Sequence, residues 1–199
     1  MSLPYCFQDC LGRATERKKT LIIFAALFAV SAILGICFIK TPAVYDYHLN
    51  LCDRFVGRVC FSERNVFLIF LERTAGNAFI LLLLLLAGIH VFGLVVPPAV
   101  FVYRAYTFGG SVAVFFSVYG VSGALIALVL YMPVHLLLDA VFLGATSLSF
   151  GRARRFRFCR ENFKELALDF LILLLIVTII CLLEMILLFA LFHPLGNLL

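Results

Sequence analysis

Apolar runs long enough to cross a lipid bilayer recur along this 199-residue chain, separated by short polar or charged stretches. About twenty consecutive apolar residues in a helix span the hydrocarbon core. The pattern predicts an all-α protein, an integral membrane helical bundle with five transmembrane helices. The predicted spans cover about residues 21–39, 76–96, 99–119, 122–150 and 166–192.

Two basic clusters predict the orientation of these spans. Residues 1–19 form a basic tail, and residues 151–160 contain five arginines. Lys and Arg concentrate in cytoplasmic loops, so both clusters are expected in the cytoplasm, with the N-terminus inside and the C-terminus outside. Reading residues 97–120 as a re-entrant hairpin would place the second cluster outside, which disfavours that alternative. The prediction is a cytoplasmic tail over 1–19 and a single transmembrane domain over 20–199.

The segment between the first two predicted spans, residues 43–75, has a different pattern. Its apolar residues recur at three- and four-residue steps with charged residues between them, which indicates an amphipathic helix at the interface or against the bundle. The apolar run 66–71 is too short to span a bilayer. The segment is either a surface connector or a partner-docking surface, for which Tyr45 and Phe55 are candidate contacts.

Three ionisable residues lie inside the apolar stretch 76–151, namely His90, Arg104 and Asp139. From the helical rise, each is expected about 6 Å to the cytoplasmic side of the midplane. Unpaired charges are costly at that depth, so an Arg104–Asp139 ion pair is predicted, with His90 near it. Two alternatives stay open: Arg104 reaching the headgroups, and His90 bonding to a backbone carbonyl. Glu184 in the last span faces either the bundle or a second copy of the protein.

The third and fourth spans contain helix-breaking residues near their middles. Gly109 and Gly110 lie in the third span and Pro133 in the fourth, while Pro97 ends the second. Kinked or broken helices are therefore predicted for the third and fourth spans. Broken helices at the midplane build ion sites in many transporters. Kinks that only improve packing are the alternative.

Composition narrows the class of function. The chain is 64% hydrophobic and only 14% charged, and its net charge of +5 comes largely from clusters that flank spans, so nucleic-acid binding is not expected. No metal site, cofactor or catalytic motif is predicted, and the protein is expected not to be an enzyme. A disulfide between Cys52 and Cys60 is conceivable if their loop lies outside the cell.

Several short motifs between residues 77 and 150 carry a family resemblance. In chain order they are glycines at 88 and 93, a proline turn at Pro97, the sequence Tyr103-Arg104-Ala105-Tyr106-Thr107-Phe108-Gly109, glycines at 120 and 123, Leu130-Tyr131-Met132-Pro133, and the ending Ala145-Thr146-Ser147-Leu148-Ser149-Phe150. With a basic N-terminus, one early helix and an amphipathic outer segment, this layout resembles the stage II sporulation protein M family of bacterial membrane proteins.

The resemblance implies a multi-pass protein of the bacterial cell membrane with a non-enzymatic role. It implies a scaffold that recruits and anchors peptidoglycan-degrading partners, membrane-associated cell-wall hydrolases, for engulfment during endospore formation. The bilayer itself is a partner, and a homo-oligomer is also compatible with the sequence. The alternative function is a membrane subunit of a transporter or ABC-type exporter with a polar midplane site.

Overall fold

The computed structural model describes residues 3–60, 66–154 and 160–196, and every described element is helical. The elements in chain order are α1 (Leu3–Phe38), α2 (Pro42–Cys60), α3 (Val66–Ile89), a 3₁₀ turn (Val91–Leu94), α4 (Val96–Val118), α5 (Gly120–Ile126), a π-helical segment (Ala127–Tyr131), α6 (Met132–Arg154) and α7 (Arg160–Gly196).

Five helical stretches are long and apolar enough to cross a membrane, as predicted. They are Lys18–Phe38, Phe67–Ile89, Val96–Val118, Gly120–Ala153 and Leu166–Leu188. The all-α multi-pass architecture is therefore confirmed. The first span continues a helix that already begins at Leu3, within the predicted basic tail.

The second span begins about nine residues earlier than predicted and also ends earlier. Val66–Leu71 was expected to be a surface connector, but it forms the first turns of α3. The prediction was wrong because Glu72 and Arg73 resemble the charged end of a span, whereas Arg73 is paired inside the bundle. Pro97 lies in the first turn of α4, where its missing N–H costs no helical hydrogen bond.

Gly109 and Gly110 do not break the third span, because α4 runs through both without interruption. Instead they allow close packing. A Cβ atom on Gly109 would overlap the carbonyl oxygen of Ala32, and one on Gly110 would overlap the ring of His48. The expected break is thus a contact surface, at which α1 and α2 approach the α4 backbone.

The fourth span is irregular just before Pro133, near the predicted position. Residues Ala127–Tyr131 form a π-helical segment, and the Met132 N–H bonds to the Ala127 carbonyl. Proline supplies no N–H and crowds the preceding turn, so a wider turn at this point relieves the mismatch. The span is joined to α4 at Tyr119 and Gly120, and Gly120 has a φ of 56°, which favours glycine.

Two hydrophobic clusters form the interior. One surrounds Phe101 and Phe142 and joins α1, α3, α4, α6 and α7. The other surrounds Phe115 and Ile126 and joins α2 to α4 and the π-helical segment. The helix α2 is amphipathic as predicted, with His48, Cys52 and Phe55 buried.

Candidate functional site: a polar cluster inside the bundle

Arg104 and Asp139 form an ion pair between the third and fourth spans. The Arg104 Nε atom donates to Asp139 Oδ1 at 3.0 Å, and the side chains are only 13% and 5% exposed. Arg104 Nη1 also donates to Asn77 Oδ1 at 3.3 Å, and the guanidinium lies 3.9 Å above the centre of the Phe142 ring. Arg104 is therefore held by three other side chains and does not need to reach the headgroups.

A second ion pair joins the second and last spans. Arg73 Nη2 donates to Glu184 Oε1 at 2.8 Å, and its Nε donates to the same oxygen at 3.2 Å. Glu184 is buried within the bundle, so it is not available to a second copy of the protein. The sequence did not suggest this pair, since Arg73 was assigned to a surface connector.

His135 and Asn77 connect the two pairs. Arg73 Nη2 lies 3.1 Å from His135 Nε2, and since a guanidinium only donates, Nε2 accepts and the imidazole is neutral. Asn77 donates to the Arg73 carbonyl at 3.0 Å and accepts from Arg104. The four later spans thus share one hydrogen-bonded network.

His90 does not belong to this network. It follows Asn77 by 13 residues, about 20 Å along the helix, and lies exposed beyond the end of α3. The depth prediction failed because the second span is shifted toward the N-terminus, so Asn77 rather than His90 occupies its middle. The histidine near the charged pairs is His135.

The network borders a cavity of about 380 Å³. Its wall is formed by α2, α3, α4, the end of the π-helical segment and α6. The side chains that matter for its chemistry are Arg54, Glu72, Arg73, Asn77, Arg104, Asp139, His135, Tyr47, Tyr103 and Tyr131. Among the described residues, Asp139 Oδ2 and Glu184 Oε2 are buried oxygens without a hydrogen-bond partner.

Two of the tyrosines that line the cavity are partly exposed. Tyr47 on α2 and Tyr103 on α4 are 42% and 56% exposed, and their hydroxyl groups are hydrogen-bonded to each other. Burial and this hydrogen bond raise the pKa of Tyr47 to about 12. The Tyr47 hydroxyl therefore keeps its proton at physiological pH.

The two other residues proposed as partner contacts lie against the bundle. Phe55 is buried and packs edge-to-face on Phe115 and Tyr131, so it cannot contact a partner. Tyr45 is half-buried beside the same cluster. The helical period explains the error for Phe55, because the apolar stripe of α2 faces inward; Tyr45 is partly exposed, and its role as a partner contact stays a prediction.

Cys52 and Cys60 cannot form a disulfide within α2. Eight residues of helix separate them by about 12 Å, whereas a disulfide needs Cα atoms within about 7 Å. Cys52 is buried beside the Ser111 carbonyl. His48 Nδ1 lies 3.4 Å from the Ser111 hydroxyl, but Ser111 is 1% exposed and offers no access to a substrate. Within the described ranges no cluster of His, Cys, Asp and Glu side chains fits a metal ion.

Comparison with known proteins identifies the family of this chain. No curated protein and no solved structure matches it. The family model described as stage II sporulation protein M matches residues 24–192, which include all of the last four spans and most of the first. The chain therefore belongs to the stage II sporulation protein M family.

Proposed function

We propose that this protein is a non-enzymatic membrane scaffold that recruits peptidoglycan-degrading partners for engulfment during endospore formation. Membership of the family and the multi-pass helical architecture support the proposal. The two interior ion pairs also support it, because they fix the second, third, fourth and last spans against one another and so favour a rigid frame.

The observation that carries the proposal is the exposed face of α2. Asp46, Tyr47, Asn50, Asp53 and Arg54 are exposed at three- and four-residue spacing, while the opposite face packs on α4. The positive-inside prediction places α2 outside the cell, where cell-wall hydrolases act. A polar helical face held on a rigid bundle suits the reversible recruitment of a soluble or membrane-tethered partner.

The test is recovery of hydrolases with the tagged protein from cross-linked membranes of a sporulating host. Asn50→Arg combined with Asp46→Arg reverses the charge of the exposed face without touching the core. We expect this variant to lose the hydrolases while remaining abundant. Lys18→Glu, an exposed charge change at the opposite end of the first span, serves as the control and is expected to keep them.

Hydrolase recovery that is unchanged by the α2 variant would contradict the assignment of this face. Loss of recovery with the Lys18 control alone would move the contact to the other side of the membrane.

The cavity favours a second candidate, a transport function, since it places charged residues inside the bundle. Transport predicts that Asp139→Asn leaves the protein abundant and abolishes flux of a substrate. The scaffold proposal predicts that the same change lowers abundance and leaves hydrolase recovery per folded molecule unchanged.

A further inference from the structure

We propose that the cavity between α2, α3, α4 and α6 binds a phosphate ester that carries its own hydrogen-bond donor, such as a phosphoethanolamine or phosphoglycerol headgroup. This site goes beyond the scaffold function and does not depend on it. The proposal rests on unused hydrogen-bond capacity, on charge and on the shape of the cavity mouth.

Unused donors are the first observation. A guanidinium carries five N–H donors in a planar fork. Arg104 uses Nε toward Asp139 and Nη1 toward Asn77, and Arg73 uses Nε and Nη2 toward Glu184 and His135. Within the described part of the chain, no acceptor faces Nη2 of Arg104 or Nη1 of Arg73. Both arginines line the cavity.

Charge is the second observation. Arg54, Arg73 and Arg104 line the same cavity, whereas Glu72 and Asp139 are its two carboxylates. Glu184 neutralises Arg73 from outside the lining, so the three arginines are balanced by three carboxylates, and a ligand with a donor group beside its phosphate fits this balance. The free terminal nitrogens of Arg73 and Arg104 can each donate to a phosphate oxygen, and arginine is a common phosphate ligand in proteins, so a phosphate group matches the cavity.

One buried acceptor restricts the class of phosphate. The residue Asp139 is 5% exposed, and its buried Oδ2 atom accepts no hydrogen bond from the described residues. A phosphate without a donor would place its negative charge beside this oxygen and leave it unsatisfied. An ammonium or hydroxyl group next to the phosphate would donate to Asp139 Oδ2, which selects ethanolamine or glycerol over choline.

The cavity mouth is the third observation. Because α2 packs mainly on α4 and α7 while α3 packs mainly on α6 and α7, we infer that the cavity opens between α2 and α3, which both line it. Gly76 is exposed on its rim, and a Cβ atom there would have nothing within 4 Å. The rim glycine keeps the entrance open on the face that contains α2, from which a lipid headgroup or a soluble phosphate ester would enter.

Narrowing the mouth provides the sharpest test. Gly76→Leu adds bulk at the rim, where a Cβ atom would meet nothing within 4 Å, and Gly144→Leu adds the same side chain at a helical position with the same open space, away from the cavity. The full-length protein is purified in detergent and titrated with phosphatidylethanolamine, phosphatidylglycerol or phosphatidylcholine. Bound lipid is counted by native mass spectrometry.

We expect the unmodified chain and Gly144→Leu each to retain one molecule of phosphatidylethanolamine or phosphatidylglycerol. Gly76→Leu should bind the same lipid at least about tenfold more weakly. Phosphatidylcholine should bind about tenfold more weakly to the unmodified chain. Equal retention of all three lipids, or unchanged binding by Gly76→Leu, would overturn the proposal.

A charge-neutral variant gives independent evidence. Arg104→Gln combined with Asp139→Asn removes the charges while keeping groups that hydrogen-bond, so it is expected to fold, as checked by circular dichroism and gel filtration. It should lose the retained lipid, and normal lipid retention in this folded variant would also contradict the site. If it does not fold, Gly76→Leu decides alone.

The source of the phosphate ester is distinguished by a soluble competitor. Glycerophosphoethanolamine that displaces the lipid supports a cavity open to water. Displacement only by added phospholipid supports entry from the bilayer. Both results support a phosphate-ester site, and they differ only in where its ligand comes from.

Discussion

The ion pair between Arg73 and Glu184 is expected to be a strongly coupled element of stability. Their closest atoms are 2.8 Å apart, and the side chains are 23% and 4% exposed. With charge centres about 4 Å apart and an effective dielectric constant near 20, the Coulomb attraction is about 4 kcal/mol. Removal of one partner leaves an unpaired charge in an apolar interior and typically costs about 3–5 kcal/mol.

A double-mutant cycle measures this coupling. Arg73→Gln and Glu184→Gln are each expected to lower the free energy of unfolding by about 3 kcal/mol. The double variant should lose no more than about 2 kcal/mol, because two neutral amides leave no buried charge and can bond to each other. The assay is reversible unfolding in mixed micelles followed by far-UV circular dichroism.

The matched control combines Glu184→Gln with Lys18→Gln. Odd-numbered spans begin on the same side of the bundle, so Lys18, at the start of the first span, and Glu184, near the end of the last, lie at opposite ends. Their effects should add within about 0.5 kcal/mol. If Arg73 and Glu184 also prove additive within that margin, the pair contributes no coupling and the reasoning fails.

Three further outcomes follow from the packing. Gly110→Ala should lower the unfolding free energy by about 1–3 kcal/mol, because a Cβ atom there overlaps the His48 ring. Gly144→Ala has open space around it and should raise the unfolding free energy by up to about 1 kcal/mol. Thermal unfolding in micelles compares the two variants, and equal effects would refute the close contact at Gly110. Phe55→Ala should cost about 3–5 kcal/mol in the same measurement, and a loss below about 1 kcal/mol would show that Phe55 is not a core residue. Burial raises the pKa of the Cys52 thiol to about 12, so maleimide should label Cys52 slowly in the folded protein at pH 8 and faster as the pH rises. Labelling should become fast when the protein unfolds, as measured by mass spectrometry of the Cys52 peptide. Fast labelling of the native state at pH 8 would contradict the burial of Cys52.

Apolar length was sufficient to predict that there are five spans, since few other features of a sequence produce runs of about twenty apolar residues. Periodicity was sufficient for α2, whose buried and exposed stripes alternate at helical spacing. The contact between Arg104 and Asp139 was also predictable, because both charges interrupt apolar spans at similar depth and the short Asp side chain cannot reach the headgroups. The spans, the amphipathic helix and the ion pair could be predicted because each depends only on the pattern within one segment or on depth along a span.

The start of α3 could not be predicted in the same way. Hydropathy treats Glu72 and Arg73 as charged residues that precede the second span. Only the position of Glu184, which is 111 residues from Arg73, shows that Arg73 belongs inside the helical bundle. That error displaced the second span and led to His90 in place of Asn77. Gly109 and Gly110 were similarly ambiguous, since glycine marks both helix breaks and close helix contacts, and only the neighbouring backbone of Ala32 distinguishes them.

The interior charges also explain how structural pairing and ligand binding can coexist in one bundle. In lipid, the packing energy of apolar side chains differs little between one neighbouring helix and another. A charged residue on one span that pairs with an opposite charge on a specific other span therefore fixes which helices are neighbours and their relative position. Arg73 pairs the second span with the last, and Arg104 pairs the third with the fourth. Each guanidinium uses its Nε atom and one terminal nitrogen for its structural partners, and its other terminal nitrogen has no acceptor among the described residues. A phosphate ester can therefore bind without breaking either pair, so ligand binding is expected to stabilise the bundle rather than compete with it.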